Sequence, residues 1–127
     1  MRLMLTDETS VQDALYSIKQ ALQQLKVADR QISEFITLTS ELCYNAIRHG
    51  SDSTVDFHLQ TGVAHLEIYD SGKGFSHLGE RAFKEGFSTA DTLGLGLGGV
   101  VRMADEFNLE TSTHGTRISI DKRVKDA

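Results

Sequence analysis

The spacing of the apolar residues changes from a helical to a strand period near the middle of this chain, and that change restricts its possible folds more than any other feature. Val11, Leu15, Ile18, Leu22 and Leu25 recur three and four residues apart, and Ile32, Phe35, Ile36, Leu42, Cys43, Ala46 and Ile47 continue the habit. At about 100° per residue each set gathers on one face of a helix. Thr9 or Ser10 suits the cap of the first helix, with Gln12 completing a capping box after Thr9. Asp29 can start the second, which should stop near Gly50. From Val55 the period is two: Val55, Phe57 and Leu59 alternate with polar residues, Thr61-Gly62 supplies a turn, and Val63, Leu66, Ile68 and Tyr69 follow. That pattern predicts a hairpin. A helix is expected from about Leu97 to Glu106 on Val100, Val101, Met103 and Ala104, then two strands, Phe107 to Thr113 and Thr116 to Ile120. Arg2 to Thr6 reads as an edge strand. Helices grouped ahead of consecutive strands disfavour alternating βαβ units. The expected architecture is an α/β two-layer sandwich, its sheet mixed but mostly antiparallel and covered on one face by helices.

The chain's 127 residues predict one domain, 1–127, with a real core. Its 13 Lys+Arg against 18 Asp+Glu leave it mildly acidic, and no basic block would track a nucleic-acid backbone. No apolar run approaches the roughly 20 residues that cross a bilayer, and Met1 to Leu5 is too short for a signal sequence. A cytoplasmic protein with no nucleic-acid or membrane partner is expected. The single cysteine, Cys43, excludes an internal disulfide and a cysteine-built zinc site, and its apolar face makes it a core residue. His58, His65, His77 and His114 lack metal-ligand spacing.

Polar groups stand out at three places. Glu41, Asn45 and His49 are spaced four apart and form a stripe along the edge of the second helix's apolar face. A carboxylate, an amide and an imidazole beside a core suit a metal or phosphate site, and equally a solvated face. Asp70 ends an apolar strand just before Gly72 and Gly74. There it is placed either to accept from an exocyclic amine, with glycines letting the backbone approach a flat ring, or to bond its own loop amides. Gly94-Leu95-Gly96-Leu97-Gly98-Gly99 leads into a helix and forms either an anion cradle of unobstructed peptide N–H groups or a hinge. It has neither the Walker spacing nor the dinucleotide fingerprint. The stretch 75–93 between the loops, with Arg81, Lys84, Ser88 and Thr89, reads as a mobile lid.

Together these segments resemble the ATP-binding GHKL family (Bergerat fold) that unites gyrase B, chaperone, histidine-kinase and MutL proteins. Glu41-x-x-x-Asn45 is similar to its N box, Asp70-x-Gly72-x-Gly74-Phe75 to its first glycine box, and Gly94-Leu95-Gly96-Leu97 to its second; Gly115-Thr116 stands where the family has a glycine-threonine pair. Gyrase-like and chaperone members carry further domains, and histidine kinases a helical hairpin for which this chain has no room. The chain resembles instead the small serine/threonine kinases of partner-switching systems, the anti-sigma factors and the stressosome switch kinase; the run Gly86-Phe87-Ser88-Thr89, with Leu93 to Val100 and Arg102 to Phe107, looks most like the stressosome switch kinase.

The resemblance implies ATP and Mg²⁺ as cofactors. Asn45 would ligate the metal, and Glu41 would be the catalytic carboxylate that orients or deprotonates a protein hydroxyl. Asp70 would read the adenine amine. Gly72, Gly74, Gly94, Leu95, Gly96, Leu97 and Gly98 would line the nucleotide, with Thr116 closing the adenine pocket. His49 would bond a phosphate or the lid, or else only complement the helix dipole. The implied partner is a STAS-domain antagonist or scaffold, with a downstream phosphatase or sigma factor and a homodimer as further candidates. The alternative is an anti-sigma factor or other sequestering regulator whose conformation ATP sets.

Overall fold

Alternation along the strands decides which side of the sheet is covered. In the computed structural model, which describes residues 1–49, 53–70, 98–112 and 115–125, the strands are β1 (Arg2–Leu5), β2 (Ser53–Gln60), β3 (Val63–Asp70), β4 (Glu106–Ser112) and β5 (Gly115–Arg123). They form one sheet in the order β1-β2-β3-β5-β4, and every ladder between them is antiparallel. Val55 and Phe57, Ala64, Leu66 and Ile68, and Ile118 and Ile120 all point to one side and are buried there. The helices α1 (Glu8–Gln24) and α2 (Asp29–His49) cover that side. Each fully buried Leu, Ile or Phe contributes about 1.5–3 kcal/mol relative to leaving it in water.

α1 buries Val11, Ala14, Ile18 and Leu22, as the spacing predicts. Its start lies earlier than Thr9 or Ser10. Asp7 is the N-cap: its Oδ1 accepts from Ser10 N at 2.8 Å while Ser10 Oγ accepts from Asp7 N at 3.0 Å. The Asp7 carboxylate accepts from the Ser10 amide three residues on, so the box closes on Asp7 and Ser10, two residues before Thr9. At the other end Lys26 N bonds Gln23 O and Val27 N bonds Leu22 O, with Lys26 at φ 59°. This is a Schellman ending, and it leaves Leu25 exposed beyond the last buried turn. α2 packs on α1, on β1, β2 and β3, and on the short helix α3 (Gly98–Met103). Phe35 of α2 meets Phe57 of β2 with ring centroids 5.7 Å apart.

The third helix is shorter than the apolar residues suggest. Asp105 N donates to Asp121 O at 2.9 Å, and Asp105 Oδ2 accepts from Arg123 N at 2.6 Å. The chain is thereby drawn into the sheet, and Glu106 begins β4 instead of ending a helix. No helix among the described residues is long and apolar enough to cross a membrane.

The β2–β3 turn carries Thr61 at φ 53° and Gly62 at φ 75°. Positive φ at both central residues marks a type I′ hairpin, whose hand matches the twist of the strands. A β-branched residue is poorly suited to the first position. Thr61→Asn is therefore expected to stabilise the fold by about 0.5–1 kcal/mol, because asparagine tolerates that conformation. A higher urea midpoint at unchanged m-value is the expected readout, and an unchanged or lower midpoint would contradict it.

Candidate functional site

Asn45 lies in the final turns of α2, one turn after Glu41, and the two side chains meet opposite surroundings. Glu41 is exposed, whereas Asn45 is only 2% exposed. The stripe expected along a helix edge is therefore not uniform: its middle member faces inward. Asn45 Nδ2 donates to Glu41 O at 2.9 Å, which fixes the direction of the amide. The oxygen that remains, Oδ1, is buried with no hydrogen-bond partner among the described residues. Leaving such a group unsatisfied costs about 1–3 kcal/mol, so the site favours any ligand that supplies a positive charge or a donor. An amide oxygen is a donor type that Mg²⁺ accepts, and the residues present fit that ion.

On the sheet, polar side chains continue the apolar rows at one end. β3 runs Leu66, Ile68, Asp70 on its inner face, and β5 runs Ile120, Ile118, Thr116. Asp70 pairs in register with Thr116 on one side and with Ser53 of β2 on the other. All three are buried, at 0%, 3% and 1% exposure. Asp70 is thus the last residue of a central strand. Tyr69, which the sequence placed with the apolar set, points to the open face.

Connectivity brings this row and Asn45 to the same end of the molecule. Four residue steps separate His49, the last residue of α2, from Ser53, so the two lie within about 14 Å of each other at full extension. α2 also packs on β3, and α3, whose first residue is Gly98, packs on α2. A Cβ added to the next residue, Gly99, would meet nothing within 4 Å. Gly72, Gly74, Gly94, Leu95, Gly96 and Leu97 lie outside the described residues, as do Gly50 and the proposed lid with Arg81 and Lys84.

Two other features lie on the face opposite the described helices. His58 and His65, seven residues apart in sequence, face each other across β2 and β3 with ring centroids 4.7 Å apart, and His65 Nδ1 is hydrogen-bonded to Asp121 Oδ1. Among the described residues, no group of three or more His, Cys, Asp or Glu side chains is placed to hold a metal ion. A shallow concavity of about 480 Å³ is lined by Arg2, Thr54, Asp56, Glu67, Tyr69 and Arg117. It is crossed by the Arg117–Glu67 and Arg2–Asp56 ion pairs, and the sheet separates it from Asn45 and Asp70.

A helix-covered antiparallel sheet defines an α/β domain of the two-layer class, here with a buried carboxylate at the end of a central strand and, on the covering helix, an amide oxygen without a partner among the described residues. Residues 4–122 match the family described as the histidine kinase-like ATPase domain, and the chain belongs to that family, which implies ATP binding. Similar solved structures include the RsbU and RsbW domains of Rv1364c from Mycobacterium tuberculosis, at 16% identity and a TM-score of 0.69 over 98% of this chain and 32% of that one. The histidine kinase domain of the blue-light activated histidine kinase from Erythrobacter litoralis EL346 is similar at 17% identity and a TM-score of 0.53, covering 94% of this chain and 64% of that one. Acinetobacter baumannii histidine kinase AdeS follows at 14% identity and a TM-score of 0.51, over 99% and 68%. This chain thus spans about a third of the first of these. No curated protein matches it in sequence.

Cys43, between Glu41 and Asn45 on α2, is fully buried, and desolvation pushes its thiol up to about 12 from 9.0. It takes no part in chemistry at neutral pH. Native protein at pH 8 is expected to resist alkylation by iodoacetamide and to react only once unfolded, as mass spectrometry would show. The folded thiol holds its proton where the unfolded one loses it, so this group's contribution to stability is complete below pH 9.0 and declines as pH rises toward 12.

Proposed function

We propose that this chain is a serine/threonine protein kinase of a partner-switching system, which transfers the γ-phosphoryl group of ATP to a STAS-domain antagonist or scaffold. The observation that carries this reading is the pairing on α2 of an exposed carboxylate, Glu41, with a buried amide oxygen one turn away, Asn45 Oδ1, that has no partner among the described residues. An exposed carboxylate beside the phosphate site is what a protein hydroxyl approaching from solvent requires. The fold likeness to the structure containing an RsbW domain supports the choice among kinases.

In this reading Asn45 holds Mg²⁺, which when bound neutralises charge on the phosphates. Glu41 accepts the proton of the incoming serine or threonine hydroxyl as its oxygen bonds the γ-phosphorus and the bond to ADP breaks. Asp70 accepts from the adenine amine, and Thr116, its register partner on β5, closes the base pocket. Gly94, Gly96 and Gly98, with Leu95 and Leu97 between them, would line the phosphates, Gly72 and Gly74 would let the backbone approach the base, and His49 at the end of α2 would bond a phosphate or the lid, or only complement the helix dipole. The protein is cytoplasmic in this reading, and it exchanges a phosphorylated partner for a second protein such as a sigma factor or phosphatase.

With labelled ATP, Mg²⁺ and the partner, Glu41→Ala is expected to reduce transfer by at least about 100-fold while ATP affinity stays within about twofold of the parent. Asn45→Ala should lose Mg²⁺-dependent ATP affinity with under about 1 kcal/mol of destabilisation, since the oxygen removed satisfies nothing in the fold. Transfer by Glu41→Ala at the parent's rate would refute the catalytic role. Partner binding without phosphate transfer by the parent would replace the kinase with a sequestering regulator.

A further inference from the structure

Of the three polar residues buried on the inner face of the sheet among the described residues, Asp70 and Thr116 have roles in the reading above; Ser53 has none. It is the first residue of β2, it is 1% exposed, and it pairs in register with Asp70 from the side opposite Thr116. Its neighbours along the same face are Val55 and Phe57, so the position lies in the core row, where an apolar residue is the ordinary occupant.

We propose that Ser53 is a positioning residue for the Asp70 carboxylate and, through it, a determinant of base selection. The inference rests on Asp70 reading the adenine amine. Register partners on one face have Cβ atoms about 4.5–5.5 Å apart, within reach of a hydroxyl donating to a carboxylate. A carboxylate has two oxygens and about four acceptor positions. With one oxygen held from β2, the other has a single orientation in which to meet a base. Adenine presents an amine donor there and guanine presents a carbonyl oxygen, so an oriented acceptor favours the first and repels the second. Ser53 also follows α2 by only four residue steps, which joins the base-reading carboxylate to the helix that carries Asn45.

Calorimetric titration of ATP, GTP and purine riboside triphosphate, which has hydrogen in place of the adenine amine, tests this on the parent, Ser53→Ala, Ser53→Cys, Asp70→Asn and the Ser53→Ala/Asp70→Asn double variant. Ser53→Cys keeps the shape with a weak donor and guards against a packing artefact. Both Ser53 variants are expected to bind ATP roughly tenfold more weakly, the loss of about one hydrogen bond to a charged group. They should also narrow the preference for ATP over GTP and bind the amine-free analogue within about twofold of the parent. On the Asp70→Asn background, Ser53→Ala should add nothing. Equal losses for ATP and the analogue, additive losses in the double variant, or parent-like ATP binding by both Ser53 variants would overturn the role of Ser53 while leaving Asp70 in place. Parent-like ATP binding by Asp70→Asn would instead remove the base-reading carboxylate, and this inference with it.

Discussion

A carboxylate and an amide are held inside hydrocarbon at one end of the sheet, and much of the molecule is arranged around keeping them there. Burying a carboxyl group costs free energy unless it is hydrogen-bonded, so Asp70 requires polar neighbours on the strands at either side. It has them in register, Ser53 on β2 and Thr116 on β5. Asn45 is treated differently: its nitrogen is satisfied within α2, and its oxygen has no partner among the described residues. The fold tolerates that deficit because α2 is fixed by Phe35, Leu38, Leu42 and Ala46 packed in the core. Apolar packing thus holds a polar oxygen that no described residue satisfies.

The two faces of the sheet divide the work. The covered face carries the core and, at its end, the polar row. The open face carries exposed ion pairs, among them Arg117 with Glu67 and Glu110, worth little individually to stability. The end of α3 is anchored between the layers: Lys122 Nζ donates to Met103 O at 3.1 Å and lies 3.6 Å from Glu34 of α2. A cation at a helix C-terminus complements its dipole, and here it also joins α3 to α2 and β5. The helix that follows the second glycine stretch is therefore tied to the helix that carries Asn45.

Much of this was legible in the residues because it depends on period. Helical spacing identified α1 and α2, and alternation identified β2 and β3 together with the inward direction of Val55 and Phe57. The same alternation, carried two residues back from Val55, points to Ser53, and carried two forward from Ile68 it puts Asp70 on the inner face and Tyr69 on the outer. What local spacing misplaced were ends. Ser10, immediately before the first periodic valine, looked like a cap, but Asp7 captures its amide. Met103 and Ala104 looked like continuing helix, but pairing of Asp105 with β5 stops α3. In both cases the deciding partner is a group that apolar periodicity does not weigh.

The sequence by itself determined the layer arrangement, the family resemblance and which helix bears the acidic and amide groups, since all of these follow from the order and spacing of residue types. Only the tertiary structure decided that Asn45 is buried while Glu41, one turn away, is exposed, that Asp70 lies between Ser53 and Thr116, and that His58 and His65 meet on the far face. Those outcomes depend on strand register and on how α2 lies against the sheet. Neither is encoded in the spacing of one segment, because both arise when side chains distant in sequence compete for the same interior volume.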